Sequence, residues 1–345
     1  MQNFSFYCQR PFVMIHSLME TRLVYRQYGK PTEVLECETF QLAAPAKGEA
    51  TIEMLYANIN PSDLGMIGGS YGKLLSLPAT AGREGVGRIR EINGTAAGLA
   101  PGDLVRIPES SGTWQSACNA PVSSLYRLPE GMNPEQASTL FINPPTALLL
   151  LESILPLKAG DWIVQNAANS AVGTAVIQIA KHMGLKTLNV VRRPELIEPL
   201  KALGADAVVL DHDDYPKQLK EITGGSKPRL ALNSVGGESV NRLIKSLADG
   251  GICVTFGGMV GDPIRFPTRF LIFNGIQLRG FWMDQWYRNH SPEEGKALLD
   301  RLCTLWMQSG MKTPVEASFS LADYRQALEA FTAPRLGKVL FRANP

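Results

Sequence analysis

Along the first 142 positions apolar residues come in short runs, broken by glycine, proline and acidic turns. Leu23-Val24-Tyr25, Glu49 to Tyr56, Gly87 to Ile92 and Asp103 to Ile107 are such runs, and Ala100-Pro101-Gly102-Asp103 is the punctuation between two of them. Short runs with turn signals at this spacing predict strands, and together they predict an irregular β-barrel. The pattern changes at Asn143. From there, apolar runs alternate with helical periodicity. Strands are predicted at Asp161 to Gln165, Thr187 to Val191, Ala207 to Leu210, Leu230 to Asn233, Gly251 to Phe256 and Ile276 to Phe281. Helices are predicted at Ala171 to Met183 and Leu196 to Leu203. Alternating β and α elements predict a doubly wound parallel sheet. After Asp284 the pattern returns to helices. It ends on Gly337-Lys338-Val339-Leu340-Phe341, read as a strand rejoining the first domain. The expected class is therefore α/β with two domains, one spanning 143–284 and the other built from 1–142 and 285–345.

Composition narrows the function classes. Of 345 residues, 34 are Lys or Arg and 32 are Asp or Glu, so a net charge of +2 leaves no excess to drive bulk nucleic-acid binding. The longest apolar stretch, Leu148 to Leu151, is flanked by Pro144, Pro145, Glu152 and Pro156, and is too short and broken to span a bilayer. Cysteines at 8, 37, 118, 253 and 303 form no CxxC pair, and their odd number points to single thiols rather than a disulfide framework. The first nineteen residues hold Arg10 and no acid. That leaves two readings, a degenerate organelle transit segment or a start upstream of the native one, since Met14 and Met19 can each begin a chain. His182, His212 and His290 have no constellation around them.

The chemistry concentrates where the first strand of the second domain meets its helix. Asn166-Ala167-Ala168-Asn169-Ser170-Ala171-Val172-Gly173 fills that turn. A dinucleotide fingerprint reads G-x-G-x-x-G. Here Ala168 and Ser170 take the first two glycine places and only Gly173 remains. A helix N-terminus still offers unpaired N–H groups and a positive dipole end to a pyrophosphate. Ser170 can cap that terminus or donate to a phosphate. A capped turn without ligand is the competing reading. The next strand ends Val190-Val191-Arg192-Arg193-Pro194, without the acid that binds a ribose 2′-hydroxyl in NAD-selective folds. Arg192 and Arg193 suit a 2′-phosphate, which points to NADPH. The competing readings are a solvated arginine pair and interference from Glu195.

Taken together these residues carry a resemblance. Asn58 to Asp63, Gly82-Arg83-Glu84-Gly85-Val86-Gly87 and the turn at 166–173 resemble the medium-chain dehydrogenase/reductase superfamily. Gly69-Ser70-Tyr71-Gly72, Gly112-Thr113-Trp114, Ile142-Asn143-Pro144, Phe256-Gly257-Gly258-Met259 and Leu278 to Trp282 bring the likeness closer to the mitochondrial-type trans-2-enoyl thioester reductases and their bacterial relatives. The matches run in order from about Thr21 to Leu340. The resemblance implies a GroES-like β-barrel catalytic domain and a Rossmann cofactor domain. It implies reduction of the C2=C3 bond of an enoyl thioester carried on coenzyme A or an acyl carrier protein, with Tyr71 as the catalytic proton or hydrogen-bond donor. It implies a cofactor lined by Asn143, Asn169, Ser170, Ala171, Val172, Gly173, Arg192, Arg193, Phe256, Gly257, Gly258, Met259, Phe281, Trp282 and Lys338, and a homodimer closed through the strand Ile276 to Phe281. Asn60, Trp282 and Trp286 are candidates for the substrate pocket, with core or interface packing as the alternative for the two tryptophans. Zinc-dependent relatives carry a Cys near Asn60 and a His at Arg83. This chain has neither, so no metal is expected. Arg83 is a departure, since the close branch carries a small polar residue there; pairing with Glu84 or Asp63 is the expectation. A quinone or alkenal reductase shares the fold and cofactor, and a non-enzymatic dinucleotide-binding protein is the alternative of another class. The expected compartment is the cytoplasm, or the mitochondrion in a eukaryote.

Overall fold

The computed structural model describes residues 19–343 apart from 73, 260 and 262. The question raised by Arg10, Met14 and Cys8 lies outside the described residues.

The barrel domain is built on the long strand Glu49–Asn58, whose alternation buries Ala50, Ile52, Met54 and Ala57. It pairs antiparallel with Gly85–Asn93 and with Ala117–Pro121. The former pairing is close because Gly87 has no Cβ; a Cβ there would lie 2.2 Å from the Glu53 carbonyl oxygen. The terminal strand Lys338–Arg342 adds to the other end of Glu49–Asn58, with Leu340 opposite Asn58. The apolar run after Gly337 is thus a strand of the barrel sheet. That region also holds a parallel strand, Val315–Phe319, that its pattern did not announce. A small sheet of Leu35–Gln41, Met19–Tyr25 and Ala79–Thr80 completes the barrel.

The parallel sheet is preceded by the helix Asn143–Glu152, buried on nearly every side. Six parallel strands follow, in the spatial order Ala207–Leu210, Lys186–Val191, Trp162–Gln165, Leu230–Asn233, Ile252–Thr255 and Gln277–Gly280. Strand order reverses between Trp162–Gln165 and Leu230–Asn233. Ligands of such sheets bind in the crevice beyond the carboxyl ends of those two strands. Polar residues inside the sheet are paired with one another: Gln165 Nε2 donates to Asn189 Oδ1 at 2.8 Å and to the Gly173 carbonyl at 3.0 Å. The predicted helix Leu196 to Leu203 is shorter, a tight turn at Pro194–Leu196 leading into Ile197–Ala202. Pro194 fixes its backbone dihedral and opens that turn. Among the described residues, no helix is long and apolar enough to cross a membrane.

Candidate active site

The turn after Trp162–Gln165 has the geometry that phosphate binding needs. Ala167 stands at φ +45°, a left-handed conformation uncommon outside glycine. Ser170 caps the helix Ala171–His182, its Oγ accepting from the Gly173 amide at 3.1 Å. A Cβ on Gly173 would lie 2.5 Å from the Ala168 carbonyl oxygen, so the helix can approach the strand only with glycine there. Across the switch point, Asn166 donates to Asn233 Oδ1 and accepts from the Ser234 amide. Ser234 Oγ is buried without a partner, an orphaned hydroxyl at the crevice floor. Gly257 and Gly258 follow the strand Ile252–Thr255 with Met259 exposed beyond them, and Phe281 hydrogen-bonds through its amide to the Thr255 carbonyl. A buried hydroxyl, a helix N-terminus and glycines at the crevice fit a dinucleotide.

The two arginines are not equivalent. Arg192 is exposed. Arg193 pairs with Glu195 at 3.0 Å and donates to the Arg335 carbonyl at 3.0 Å. Asn169 Nδ2 donates to the same carbonyl at 3.2 Å. Arg335 therefore meets the cofactor turn, a contribution from the barrel domain that no sequence motif advertised.

Tyr71 follows the helix Pro61–Ile67 by way of Gly68 and Gly69, the latter at φ +75°. Its hydroxyl accepts from Trp282 Nε1 at 2.9 Å, and the two rings meet edge to face with centroids 6.0 Å apart. A Cβ on Gly72 would lie 2.8 Å from Trp282 Cζ2, so the indole lies on the loop only because that residue is glycine. Arg288 covers the Trp282 ring, its Cζ 4.6 Å from the centroid. Trp286 lies apart from this pair. It stacks on His290 at 4.0 Å and packs, partly buried, against a hydrophobic core.

Asn60 and Lys338 occupy a buried joint rather than an open wall. Glu84 Oε1 accepts from the Phe141 and Ile142 amides at 2.8 and 3.0 Å, and Oε2 accepts from Asn60 Nδ2 at 3.0 Å. Asn60 Oδ1 accepts from Lys338 Nζ at 2.6 Å and from Asn143 Nδ2 at 3.1 Å. Lys338 also donates to the Ile59 carbonyl. Burial pulls its ammonium down to about 8 and pushes the nearby Asp63 carboxyl up to about 7. The expected pairing of Arg83 with Glu84 or Asp63 is not what the structure holds. Arg83 binds Glu109 at 2.6 Å and Asp284 at 2.8 Å instead. The carboxyl of Glu84 is already filled by three donors, and that of Asp63 faces the Asn60 amide. Burial pulls the Arg83 guanidinium down, and its two carboxylates outweigh that and hold it well above its ordinary value. Among the described residues no group of three His, Cys, Asp or Glu side chains is placed to hold a metal ion.

Comparison with known proteins places this geometry. Residues 46–130 match the family model described as alcohol dehydrogenase GroES-like domain, and residues 171–302 match zinc-binding dehydrogenase. The mitochondrial enoyl-[acyl-carrier-protein] reductase of Rattus norvegicus is 43% identical over 319 residues, covering 90% of this chain and 85% of the rat protein. The chain belongs to this family, within the medium-chain dehydrogenase/reductase superfamily. Among solved structures, a mitochondrial 2-enoyl thioester reductase heterodimer from Candida tropicalis superposes with a TM-score of 0.83 at 27% identity, covering 94% of this chain and all of that one. The Etr1p complex with NADP and crotonyl-CoA gives 0.85 at 26% identity, again over 94% of this chain and all of that one. A mycobacterial quinone oxidoreductase gives 0.79 at 25% identity over 94% and 99%. Fold likeness by itself therefore does not separate enoyl from quinone chemistry, and the side chains around Tyr71 have to.

Ser234 and Arg335 escaped sequence reasoning. Ser234 follows the strand Leu230–Asn233 directly, at the place where a doubly wound sheet binds ligands, and that position was the available signal.

The buried joint yields a stability test. Glu84→Gln turns one of its two accepting oxygens into an NH2 facing a donor. It is expected to cost about 1–3 kcal/mol, the penalty for an unmatched buried polar group. Chemical denaturation showing an unchanged midpoint at unchanged slope would mean that the joint contributes nothing.

Proposed function

We propose that the protein is an NADPH-dependent, zinc-independent reductase of trans-2-enoyl thioesters, with Tyr71 as its proton or hydrogen-bond donor. The carrying observation is the Tyr71–Trp282 pair. The phenol oxygen accepts from the indole N–H, so its own proton is free for another acceptor, and among the described residues it has none. Family membership supplies the reaction class. The cofactor, when bound, supplies the hydride that the β-carbon receives. The chain's residues do the rest. Arg192 and Arg193 would hold the 2′-phosphate, the helix N-terminus behind Ser170 would receive the pyrophosphate, and Ser234 would donate to the bound dinucleotide. Asn143 and Lys338 both donate to Asn60 Oδ1. Tyr71 gives its hydrogen bond or proton to the enolate oxygen or the α-carbon, and Trp282 keeps the phenol oxygen in place as charge grows on it.

The substrate carrier is coenzyme A or an acyl carrier protein; the relatives named above are described with one or the other. In a eukaryote the compartment is the mitochondrion, as in the named relatives, and in a bacterium the cytoplasm. The partner is a second copy. Among the described residues Gln277–Gly280 pairs on one side only, with Ile252–Thr255, and every residue of it is exposed. Ile272 and Phe273 beside it are 67% and 80% exposed. An open strand edge bordered by apolar side chains is a pairing surface, and joining two copies edge to edge covers it.

Three measurements check these assignments. Replacing Arg192 and Arg193 together with alanine is expected to raise the Michaelis constant for NADPH at least about tenfold, as the loss of a charge-assisted contact implies, and to leave NADH almost untouched. A wild-type preference for NADH would refute the assignment. Sedimentation at micromolar concentration should give particles of twice the chain mass, and Ile272→Asp with Phe273→Asp should give monomers. Wild-type particles of one chain would exclude the dimer. Tyr71→Phe removes one donor and keeps the ring, so single-turnover reduction of a crotonyl thioester should slow by about a hundred- to a thousandfold while NADPH affinity holds. A rate within about threefold of wild type, far below the effect of a lost donor, would sink the role of Tyr71 and bring the quinone reductase reading forward.

A further inference from the structure

We propose that Arg83 is a positioning residue for Tyr71, an element added to the enoyl reductase site by this chain's own sequence. The inference rests on the reading of Tyr71 as the donor. Arg83 is only 6% exposed. Its guanidinium is held from two sides. Nε donates to Glu109 in the turn Glu109–Ser111, and Nη2 donates to both carboxylate oxygens of Asp284 at 2.9 and 2.8 Å, in the first turn of the helix Met283–Asn289. The plane so fixed places Cζ 5.0 Å from the centroid of the Tyr71 ring.

Tyr71 is thereby gripped at both of its functional ends. Trp282 fixes the phenol oxygen, and Arg83 supports the face of the ring. Without that support the phenol, on a loop that begins at Gly68-Gly69 and continues into Gly72, is held by the single hydrogen bond from Trp282. A donor must stay near 3 Å from its acceptor to act in the transition state, and misplacement of about 1 Å costs up to roughly a hundredfold. Asp284 lies two residues beyond Trp282. One short stretch, Trp282-Met283-Asp284, thus supplies the partner of the hydroxyl and the partner of Arg83 together. Glu109 and Asp284 are partly exposed, with side chains 38% and 26% accessible, so water screens their charges once Arg83 is removed.

The test is a double-mutant cycle between Arg83→Met and Tyr71→Phe, with kcat and KM for a crotonyl thioester and a separate equilibrium measurement of NADPH binding. Arg83→Met keeps an unbranched side chain and loses the fork. It is expected to lower kcat by about tenfold, within the range for a misplaced reacting group, with KM and NADPH affinity within about twofold, as expected for an interaction made only in the transition state. In the Tyr71→Phe background the same change should cost less than about twofold, because no donor remains to be positioned. Arg83→Lys cannot span both carboxylates and is expected to fall between Met and wild type; full recovery with lysine would reduce the effect to charge alone and overturn the positioning role. Additive losses, or a loss confined to KM, would also overturn it. If Tyr71→Phe is slow but Arg83→Met is not, this inference fails and the donor role stands. If Tyr71→Phe is itself as fast as wild type, both fail. Should Arg83→Met not fold, Asp284→Asn, which releases one side of the fork, takes its place in the cycle with the same expectations.

Discussion

Three distant stretches of chain meet on the carboxyl group of Glu84. It lies at the start of a barrel strand and accepts from Asn60, which caps the helix leading to Tyr71. It also accepts from the Phe141 and Ile142 amides, where the chain leaves the barrel for the cofactor domain. Through Asn60 it is connected to Lys338 at the head of the last strand and to Asn143 at the head of the first helix of the second domain. The loop carrying the phenol and the crevice for the dinucleotide belong to different domains, and their separation has to be held within about half an ångström for hydride and proton to reach adjacent carbons. A polar network at the joint is suited to this, since its hydrogen bonds are directional where apolar packing alone is not.

Much of this was legible in the sequence, for physical reasons that differ by region. The parallel sheet announced itself through runs such as Trp162–Gln165 and Leu230–Asn233, buried on both faces and therefore continuously apolar apart from the amides at their ends. The helix Ala171–His182 announced itself by a capping serine and one apolar face. The terminal strand was visible as an apolar run after Gly337, though not its parallel neighbour Val315–Phe319, whose residues are half-exposed and alternate too weakly to stand out. The short helix Pro61–Ile67 was hidden inside a motif read for its chemistry, although its Asn60 cap, Pro61 and Asp63 form a recognisable start signal.

Side-chain partnership was far less legible than element type. The nearest carboxylate to Arg83 in sequence is Glu84, but both residues lie in the turn before the strand Gly85–Asn93, and their side chains part there. Glu84 turns inward to the joint, while Arg83 turns toward the cleft and finds Asp284, 201 residues away. Glu195 was recognised as a hazard to the 2′-phosphate reading, and it does engage one of the two arginines. It engages Arg193, which the Arg335 carbonyl also holds, and Arg192 remains exposed. Such outcomes depend on which face a residue takes after folding, and no one-dimensional pattern contains that information.

The terminal segment shows how the joint and the cofactor crevice are coupled. Arg335 offers its carbonyl to Asn169 and Arg193 of the cofactor domain, and three residues later Lys338 inserts its ammonium under Asn60 in the barrel. Gly337 lies between them with no room for a side chain, since a Cβ there would come within 2.4 Å of the Glu316 amide nitrogen. The segment is therefore short, stiff and anchored at both ends. The cofactor turn and the buried joint are thus tied to each other through the one segment from Arg335 to Lys338.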